Sequence, residues 1–336
     1  MMYSLDEVGL LPARVSNIDS RKDVNPFTRG GKGVLPVFVA PMTCITRELS
    51  QLKLFNDNKF IPTLPIRFDN VGDRVFNTCR GWTAVTLDEF IATYTNDSYR
   101  LKGPSTFYTL IDTANGNMSK ILEAVKKAKE LHGDTLKVMI GNIANPETYW
   151  DCIESGVDFV RVGIGGGNGC TTSIQTGIHV SLPYILQGIG DIKFYSKGKR
   201  KKYPKVIADG GIDSVGKAIK ALALGADYVM VGKMFAQCED VATSGAIRYN
   251  DGEKEVLYYG QSSEEGQLDR FGKIKSHPEG TSLWVPVTTT LKELSENFEA
   301  ALRSTMSYCG AKTLDDFIGK VKYEYMTPTE FNSFNK

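Results

Sequence analysis

Cys170 closes the run Gly163-Ile-Gly-Gly-Gly-Asn-Gly-Cys170-Thr-Thr172, in which five of the seven residues before the cysteine are glycine. Such a backbone turns tightly and can aim N–H and C=O groups at a ligand. A cysteine exposed to oriented amides can serve as a thiolate nucleophile. Three further clusters carry chemistry. Asp209-Gly210-Gly211 places a carboxylate before two glycines, an arrangement suited to a ribose diol. Gly232-Lys233-Met234 offers backbone amides and a cation for phosphate. Asp112-Thr113-Ala114-Asn115-Gly116 offers another acidic turn. Each has a bland alternative: an idle cysteine in a flexible turn, a helix-capping aspartate, a turn-and-cap sequence. Together they describe a nucleotide site with a cysteine nucleophile.

These clusters need a frame that brings them together. Apolar runs recur at Leu35–Ala40, Lys59–Leu64, Trp82–Leu87, Thr106–Asp112, Leu136–Gly141, Asp158–Gly163, Lys205–Asp209 and Asp227–Gly232. Most are apolar on both faces, as buried parallel strands are. The second is weaker, because Pro62 and Pro65 interrupt it. Helical periodicity lies between the runs. Asn117 is placed to cap a helix that turns Met118, Ile121, Leu122, Val125, Ala128 and Leu131 inward and stops at Gly133. Asn145-Pro146 opens a second helix ending at Gly156, and Asp213-Ser214 a third ending at Gly225. Eight strand-then-helix repeats predict a (β/α)8 TIM barrel rather than an open doubly wound sheet. All four chemical clusters then fall at the C-terminal ends of strands, where barrels carry their sites. A dinucleotide-binding Rossmann reading of the glycine loop is disfavoured, because the loop follows a sixth strand and leads into no clear helix.

Composition is that of an ordinary soluble globular protein. Of 336 residues, 41% are apolar and 24% charged, and 40 basic against 39 acidic side chains give a net charge of +1. No global field selects nucleic acid or an anionic membrane. No apolar run reaches the roughly 18 residues of a membrane span. The N-terminus lacks a secretory pattern, so a cytoplasmic location is expected. Six cysteines (44, 79, 152, 170, 238 and 309) stand singly, which argues against a disulfide framework or a zinc site. The basic run 197–202 reads as a solvated loop.

The motifs, in order, resemble the IMP dehydrogenase/GMP reductase family over nearly the whole chain. Leu11-Pro12…Ser16…Ser20-Arg21, Ala40-Pro41-Met42, Asp112–Gly116, Gly141-Asn142-Ile143, Gly163–Thr172, Ile207–Ile212, Tyr259–Ser263, Glu279-Gly280 and Leu302–Tyr308 with Gly310-Ala311 all have counterparts there. The resemblance implies one catalytic domain over 1–336, with an N-terminal segment 1–34, a short flap region 248–290 after strand eight and no regulatory domain pair. It implies that Cys170 attacks C2 of a purine nucleotide, and that Thr172 and Glu279 handle protons. It assigns the purine nucleoside monophosphate to Asn168, Asp209, Gly210, Gly211, Gly232, Lys233, Gly260, Gln261, Ser262 and Gly280. It assigns a nicotinamide cofactor, NADPH with NADH as the alternative, to Ser20, Arg21, Asp112, Thr113, Ala114, Ile164, Gly165, Ser304, Thr305 and Ser307. It assigns a potassium ion to the carbonyls of Gly165, Gly167 and Cys170, and it implies a homotetramer.

Within the family the chain resembles the reductase more. No regulatory insertion fits, only 19 positions separate Gly260 from Glu279, and Asp112–Gly116 and Tyr259–Ser263 follow the reductase pattern. The expected reaction is reductive deamination of GMP to IMP and ammonia. Asp269-Arg270-Phe271 instead resembles the dehydrogenase's Asp-Arg-Tyr, which keeps oxidation of IMP to XMP with NAD as the alternative. A guanidinium acts as a base only in an unusual environment, so Arg270 is expected to be a surface arginine of the flap. Departures from the family pattern include Asn168, Ser173, Thr43-Cys44, Ser276-His277-Pro278 and Lys233. Residues 66–105 match poorly, with Arg67 nearest to the family's lysine after strand two. The departures fall near the phosphate, the flap and the cofactor, which raises a non-standard purine nucleotide as a further possible substrate. A catalytically silent nucleotide-binding barrel and a flavin-dependent barrel are the competing readings.

Overall fold

The computed structural model describes residues 3–29, 33–67, 81–98, 101, 105–167, 169–198, 202–242, 246–327 and 330. Asn168, Cys79, residues 199–201 of the basic run and part of 66–105 lie outside the described residues.

All eight expected strands form: β1 (Val37–Val39), β2 (Thr63–Leu64), β3 (Trp82–Val85), β4 (Phe107–Asp112), β5 (Leu136–Ile143), β6 (Phe159–Val162), β7 (Lys205–Asp209) and β8 (Tyr228–Val231). They are parallel in the order β1-β8-β7-β6-β5-β4-β3-β2. A bridge from Phe38 to Ile61 brings the two ends of the sheet together. There Val39 N–H donates to Ile61 O at 2.9 Å and Ile61 N–H donates to Val37 O at 2.9 Å. The molecule is therefore a (β/α)8 barrel, not an open sheet. β2 is only two residues long, flanked by Pro62 and Pro65, which have no N–H to give.

Side chains fill the barrel from below. Phe38, Trp82, Phe159 and Tyr228 sit at or near the starts of β1, β3, β6 and β8 and pack edge to face, with Trp82–Phe159 centroids 4.9 Å apart and Phe38–Tyr228 5.3 Å apart. Leu110, Met139, Ile207 and Met230 add to this interior cluster. An aromatic plug at the N-terminal end leaves the C-terminal mouth for a ligand.

The expected helices form with two corrections. Ser119–His132 stops at Gly133 as expected, but its N-cap is Met118 without a side-chain bond. Asn117 instead accepts a hydrogen bond from Thr148 Oγ1 at 3.0 Å, which ties two helix starts together. Met118 is exposed, because it lies outside the helix and off its buried stripe. Val215–Ala223 is capped by Ser214, which accepts from Lys217 N, and buries Ala218, Ile219 and Leu222. The glycine loop leads into a five-residue helix, Thr172–Thr176, where none was expected. It is too short to carry the sequence periodicity of a helix.

Three segments lie outside the barrel repeat. Val8–Leu10 pairs antiparallel with Tyr323–Tyr325. The flap is a three-stranded antiparallel sheet, Ile247–Asn250, Glu253–Tyr259 and Ser282–Pro286, with a helix Glu264–Phe271 between its last two strands. Lys202, from the basic run, pairs with buried Asp158 at 2.6 Å, so this end of the run serves the fold. No helix among the described residues is long and apolar enough to cross a membrane.

Candidate active site

A cleft of about 280 Å³ opens at the C-terminal mouth of the barrel. Its floor and walls come from the tips of β1, β4, β5, β6, β7 and β8, and the flap covers one side. Cys170, Thr172 and Glu279 all line it. So do Asp209, Gly210, Gly211, Gly232 and Lys233, together with Gly260, Gln261, Ser262 and Gly280 from the flap. Asp112, Thr113, Ala114, Ile164, Gly165 and Gly167 complete the predicted residues in the cleft.

The chemistry centres on three side chains in a row. Cys170 Sγ donates to Thr172 Oγ1 at 3.3 Å, and Thr172 Oγ1 donates to Glu279 Oε2 at 3.3 Å. Backbone pairing between the glycine loop and the flap holds them. Thr171 N–H donates to Glu279 O and Thr281 N–H to Gly169 O, both at 2.9 Å. That pairing needs glycine at 280, where a Cβ would lie 2.8 Å from Ser263 N. Gly163 has φ +117° and presses on β7, where a Cβ would lie 2.4 Å from Asp209 O. Both positions exclude a side chain for reasons of space, and the second also of conformation.

Three of the other cysteines do not compete. Burial pushes the Cys44, Cys152 and Cys238 thiols up to about 12, so they stay protonated at neutral pH. Cys170 is half-exposed in the cleft.

A charge cluster joins the two sides of the cleft. Arg161, 9% exposed on β6, donates to Asp209 Oδ2 at 2.8 Å and to Asp112 Oδ1 at 2.6 Å. Asn142 Nδ2 also donates to Asp209 Oδ2, at 2.9 Å. Arg270 Nη1 lies 3.2 Å from Asp112 Oδ2, and its Nη2 donates to Asp112 O at 2.7 Å. Burial alone would raise the Asp112 carboxyl, but the Arg270 and Arg161 guanidiniums outweigh it and hold it below the ordinary carboxylate value. Burial works against the Arg161 charge, while Asp209 and Asp112 outweigh it and keep the guanidinium protonated. Asp209 and Asp112 are thus committed to arginine, not to capping helices. Asp209 Oδ2 is already taken by Arg161 and Asn142, which leaves its other oxygen for a ligand.

Arg270 corrects the expectation of a surface residue: its side chain is 14% exposed and faces the cleft. Its neighbour Asp269 accepts from Tyr259 Oη at 2.6 Å and pairs with Arg47 at 3.4 Å. The flap helix is therefore pinned to the barrel rim at two adjacent residues. Sequence reasoning also missed Arg161, although a lone arginine within Phe159-Val160-Arg161-Val162 is a signal, since buried charges need partners. It missed Tyr258 as well. The Tyr258 phenol is buried, which raises it so that it remains a donor. Among the described residues it donates only to the weak acceptor Met42 Sδ at 3.7 Å, beside Gly232, where a Cβ would lie 2.8 Å from its oxygen.

Five predicted cofactor residues lie elsewhere. Ser20 caps the short turn Arg21–Asp23. Ser16 Oγ donates to Ser307 O at 3.0 Å, and Ser307 Oγ donates to Ser304 O at 2.9 Å. Thr305 lines a second cavity with Leu10, Leu11, Pro12 and Tyr308. The fold thus gathers Ser304, Thr305 and Ser307 with the N-terminal segment, and none of the five lines the Cys170 cleft.

Residues 105–333 match the family described as the IMP dehydrogenase / GMP reductase domain. The inosine-5'-monophosphate dehydrogenase of Methanocaldococcus jannaschii is 34% identical over 236 residues, covering 65% of this chain and 46% of the relative. That of Halalkalibacterium halodurans is 36% identical over 214 residues, covering 62% and 42%. The GMP reductase of Escherichia coli O157:H7 is 30% identical over 241 residues, covering 69% and 65%. The chain thus spans less than half the length of these dehydrogenases and just under two thirds of that reductase.

Proposed function

Since this chain belongs to the IMP dehydrogenase/GMP reductase family, we propose that it reductively deaminates a guanine nucleotide, GMP to IMP and ammonia, with NADPH or NADH. The hydrogen-bonded row Cys170–Thr172–Glu279 carries this reading. Cys170 loses its proton along the row and its sulfur bonds to C2 of the purine. Glu279, through Thr172, returns a proton to the amino group on C2, which leaves as ammonia. A dihydronicotinamide bound in the cleft would supply hydride to the same carbon. The C2–S bond then breaks, its electron pair returns to Cys170, and IMP is released.

The remaining cleft residues support the same ligand. The free oxygen of Asp209 accepts from ribose, while Gly210, Gly211, Gly232, Lys233 and Tyr258 surround the phosphate. Asp112, Thr113, Ala114, Ile164 and Gly165 line the cleft with Cys170 and would hold the cofactor there. Ser20, Arg21, Ser304, Thr305 and Ser307 lie outside that cleft and would reach a cofactor bound to a neighbouring copy, in keeping with a homotetramer. Potassium suits the carbonyls of the glycine loop: Gly167 O accepts from Cys170 N at 3.0 Å and keeps a second lone pair. This reading carries with it a cytoplasmic role in purine nucleotide metabolism.

One observation favours a second reading. Arg270 enters the cleft, where its guanidinium can orient a water that hydrolyses the C2–S intermediate, as oxidation of IMP to XMP with NAD requires. Lys233, a cation with no ion pair among the described residues, leaves room for a non-standard purine nucleotide.

Absorbance at the nicotinamide band decides between these. Loss of NADPH with ammonia release in the presence of GMP establishes reduction. NADH formation from IMP and NAD establishes oxidation. Nucleotide binding without either reaction would point to a non-standard purine substrate or to a silent binding barrel.

A further inference from the structure

We propose that Arg47 is a positioning residue of this site: it clasps the flap to the barrel rim through Tyr259 and Asp269, and so keeps Glu279 in its row with Thr172 and Cys170. The inference rests on the catalytic reading of that row given above. Arg47 is not among the residues that line the cleft, so it acts through the flap and not on a ligand. It stands on the turn between β1 and the helix Leu49–Asp57. That turn is held at several points. Ile45 N–H and Thr46 N–H both donate to Met42 O at 2.9 Å. Arg47 N–H donates to Gln51 Oε1 at 2.6 Å, beside the capping box of the helix. Arg67, beyond β2, donates from Nη1 to Arg47 O at 3.0 Å.

From this fixed backbone the guanidinium reaches the flap. Its Nε donates to Thr43 O at 3.1 Å. Its Nη2 donates to Tyr259 Oη at 2.9 Å and lies 3.4 Å from Asp269 Oδ2. Tyr259 Oη in turn donates to Asp269 Oδ2 at 2.6 Å. Burial, with Asp269 beside it, pushes the phenol up to about 12, so it keeps the proton that this bond uses. A planar fork serves a carbonyl, a phenol and a carboxylate at once. The Arg47 and Asp269 side chains are 33% and 26% exposed, so solvent screens the pair only in part. Cys44 adds a second hold on Tyr259, its Sγ donating to Tyr259 O at 3.4 Å. The clasp thus includes Thr43-Cys44, a pair at which this chain departs from the family pattern.

The clasped residues lead directly into the site. Tyr259 precedes Gly260, whose N–H donates to Thr281 O at 3.4 Å. Three residues after Tyr259, Ser262 O accepts from Glu279 N–H at 3.1 Å. Asp269 precedes Arg270, which pairs with Asp112. A shift of Tyr259 and Asp269 is therefore passed to Glu279 through backbone bonds. Asp209, Gly210, Gly211 and Gly232 lie at the tips of β7 and β8 and are not part of this path. Loss of the clasp lowers the share of molecules in which the row is assembled, which lowers kcat more than it weakens nucleotide binding.

Arg47→Met keeps the stem and removes the fork, and Asp269→Ala removes the carboxylate at the other end. Hydrogen exchange of the ligand-free proteins reads the clasp without any activity. Amides of the helix Glu264–Phe271 should exchange about tenfold faster in either variant, while those of β5 stay as in wild type. In steady state with GMP and NADPH, or IMP and NAD, each variant should lose about tenfold in kcat with the nucleotide KM within about threefold. The double variant should lose no more than about threefold beyond the larger single loss, because both changes break one link. Unchanged exchange in the flap helix, or equally faster exchange in β5, overturns the clasp. Unchanged kcat, a loss confined to KM, or losses that multiply in the double variant overturn its role in assembling the row. Wild type that turns over neither nucleotide overturns the catalytic reading of the row, and flap exchange then still decides whether Arg47 holds the flap.

Discussion

Arg270 of the flap helix grips Asp112 at the tip of β4, with Nη1 3.2 Å from the carboxylate and Nη2 donating to the backbone oxygen at 2.7 Å. Asp112 also accepts from Arg161, which holds Asp209. The flap, the tip of β4 and the tip of β7 therefore share one run of alternating charges. A change in flap position is felt at Asp112 through an ion pair of low exposure, not through solvent.

Arg270→Ala tests which reaction uses that link. For a reductase, the variant should lose no more than about tenfold in kcat, because the proton route through Thr172 and Glu279 is intact. For a dehydrogenase, loss of the residue that handles water should cost about a hundredfold or more. Steady-state rates in both directions, with GMP and NADPH or IMP and NAD, read the difference.

Cys170→Ala should abolish turnover while nucleotide affinity stays within a few fold. Cys44, Cys152 and Cys238 cannot replace it, since they are buried and held protonated. Turnover above about a thousandth of the wild-type rate would contradict covalent catalysis at this residue.

Glu279→Gln keeps the shape of the row and removes its carboxylate. The expected loss in kcat is about a hundredfold to a thousandfold, within the range for general acid–base groups. GMP affinity should change by less than about threefold. A loss seen mainly in affinity would recast Glu279 as a binding residue.

Acid should weaken the fold through Asp112. Its folded carboxyl lies below the ordinary 3.8. The stability it contributes is therefore full above the unfolded value and is lost as pH falls through the lowered folded value. Wild type should keep a constant urea midpoint from pH 7 to about 5 and lose stability below about 4. Asp112→Asn should be less stable at pH 7 by about 3 kcal/mol, because two guanidiniums of low exposure lose a partner. Its further decline in acid should be shallower than that of wild type. Parallel acid limbs for the two proteins would show that Asp112 does not carry the effect.

Much of this was legible in the chain itself. The eight apolar runs became eight barrel strands because burial on both faces leaves a local pattern that needs no knowledge of partners. Cys170, Asp209 and Gly232 were recognisable because a chemical residue beside glycines at a strand end is a local signal too. Short elements escaped: the helix Thr172–Thr176 has too few residues to show a period, and Asn117 bonds Thr148 across the fold instead of capping its own helix.

The electrostatics of the cleft were decided only by tertiary structure. Arg161 lies 49 residues from Asp112 and 48 from Asp209, and Arg270 lies 158 from Asp112. Nothing in the spacing of these residues marks them as partners. Sequence records which residues prefer burial and which backbone can turn. Barrel closure chooses the charges that share a low-dielectric rim, and that choice made a flap arginine a wall of the active-site cleft.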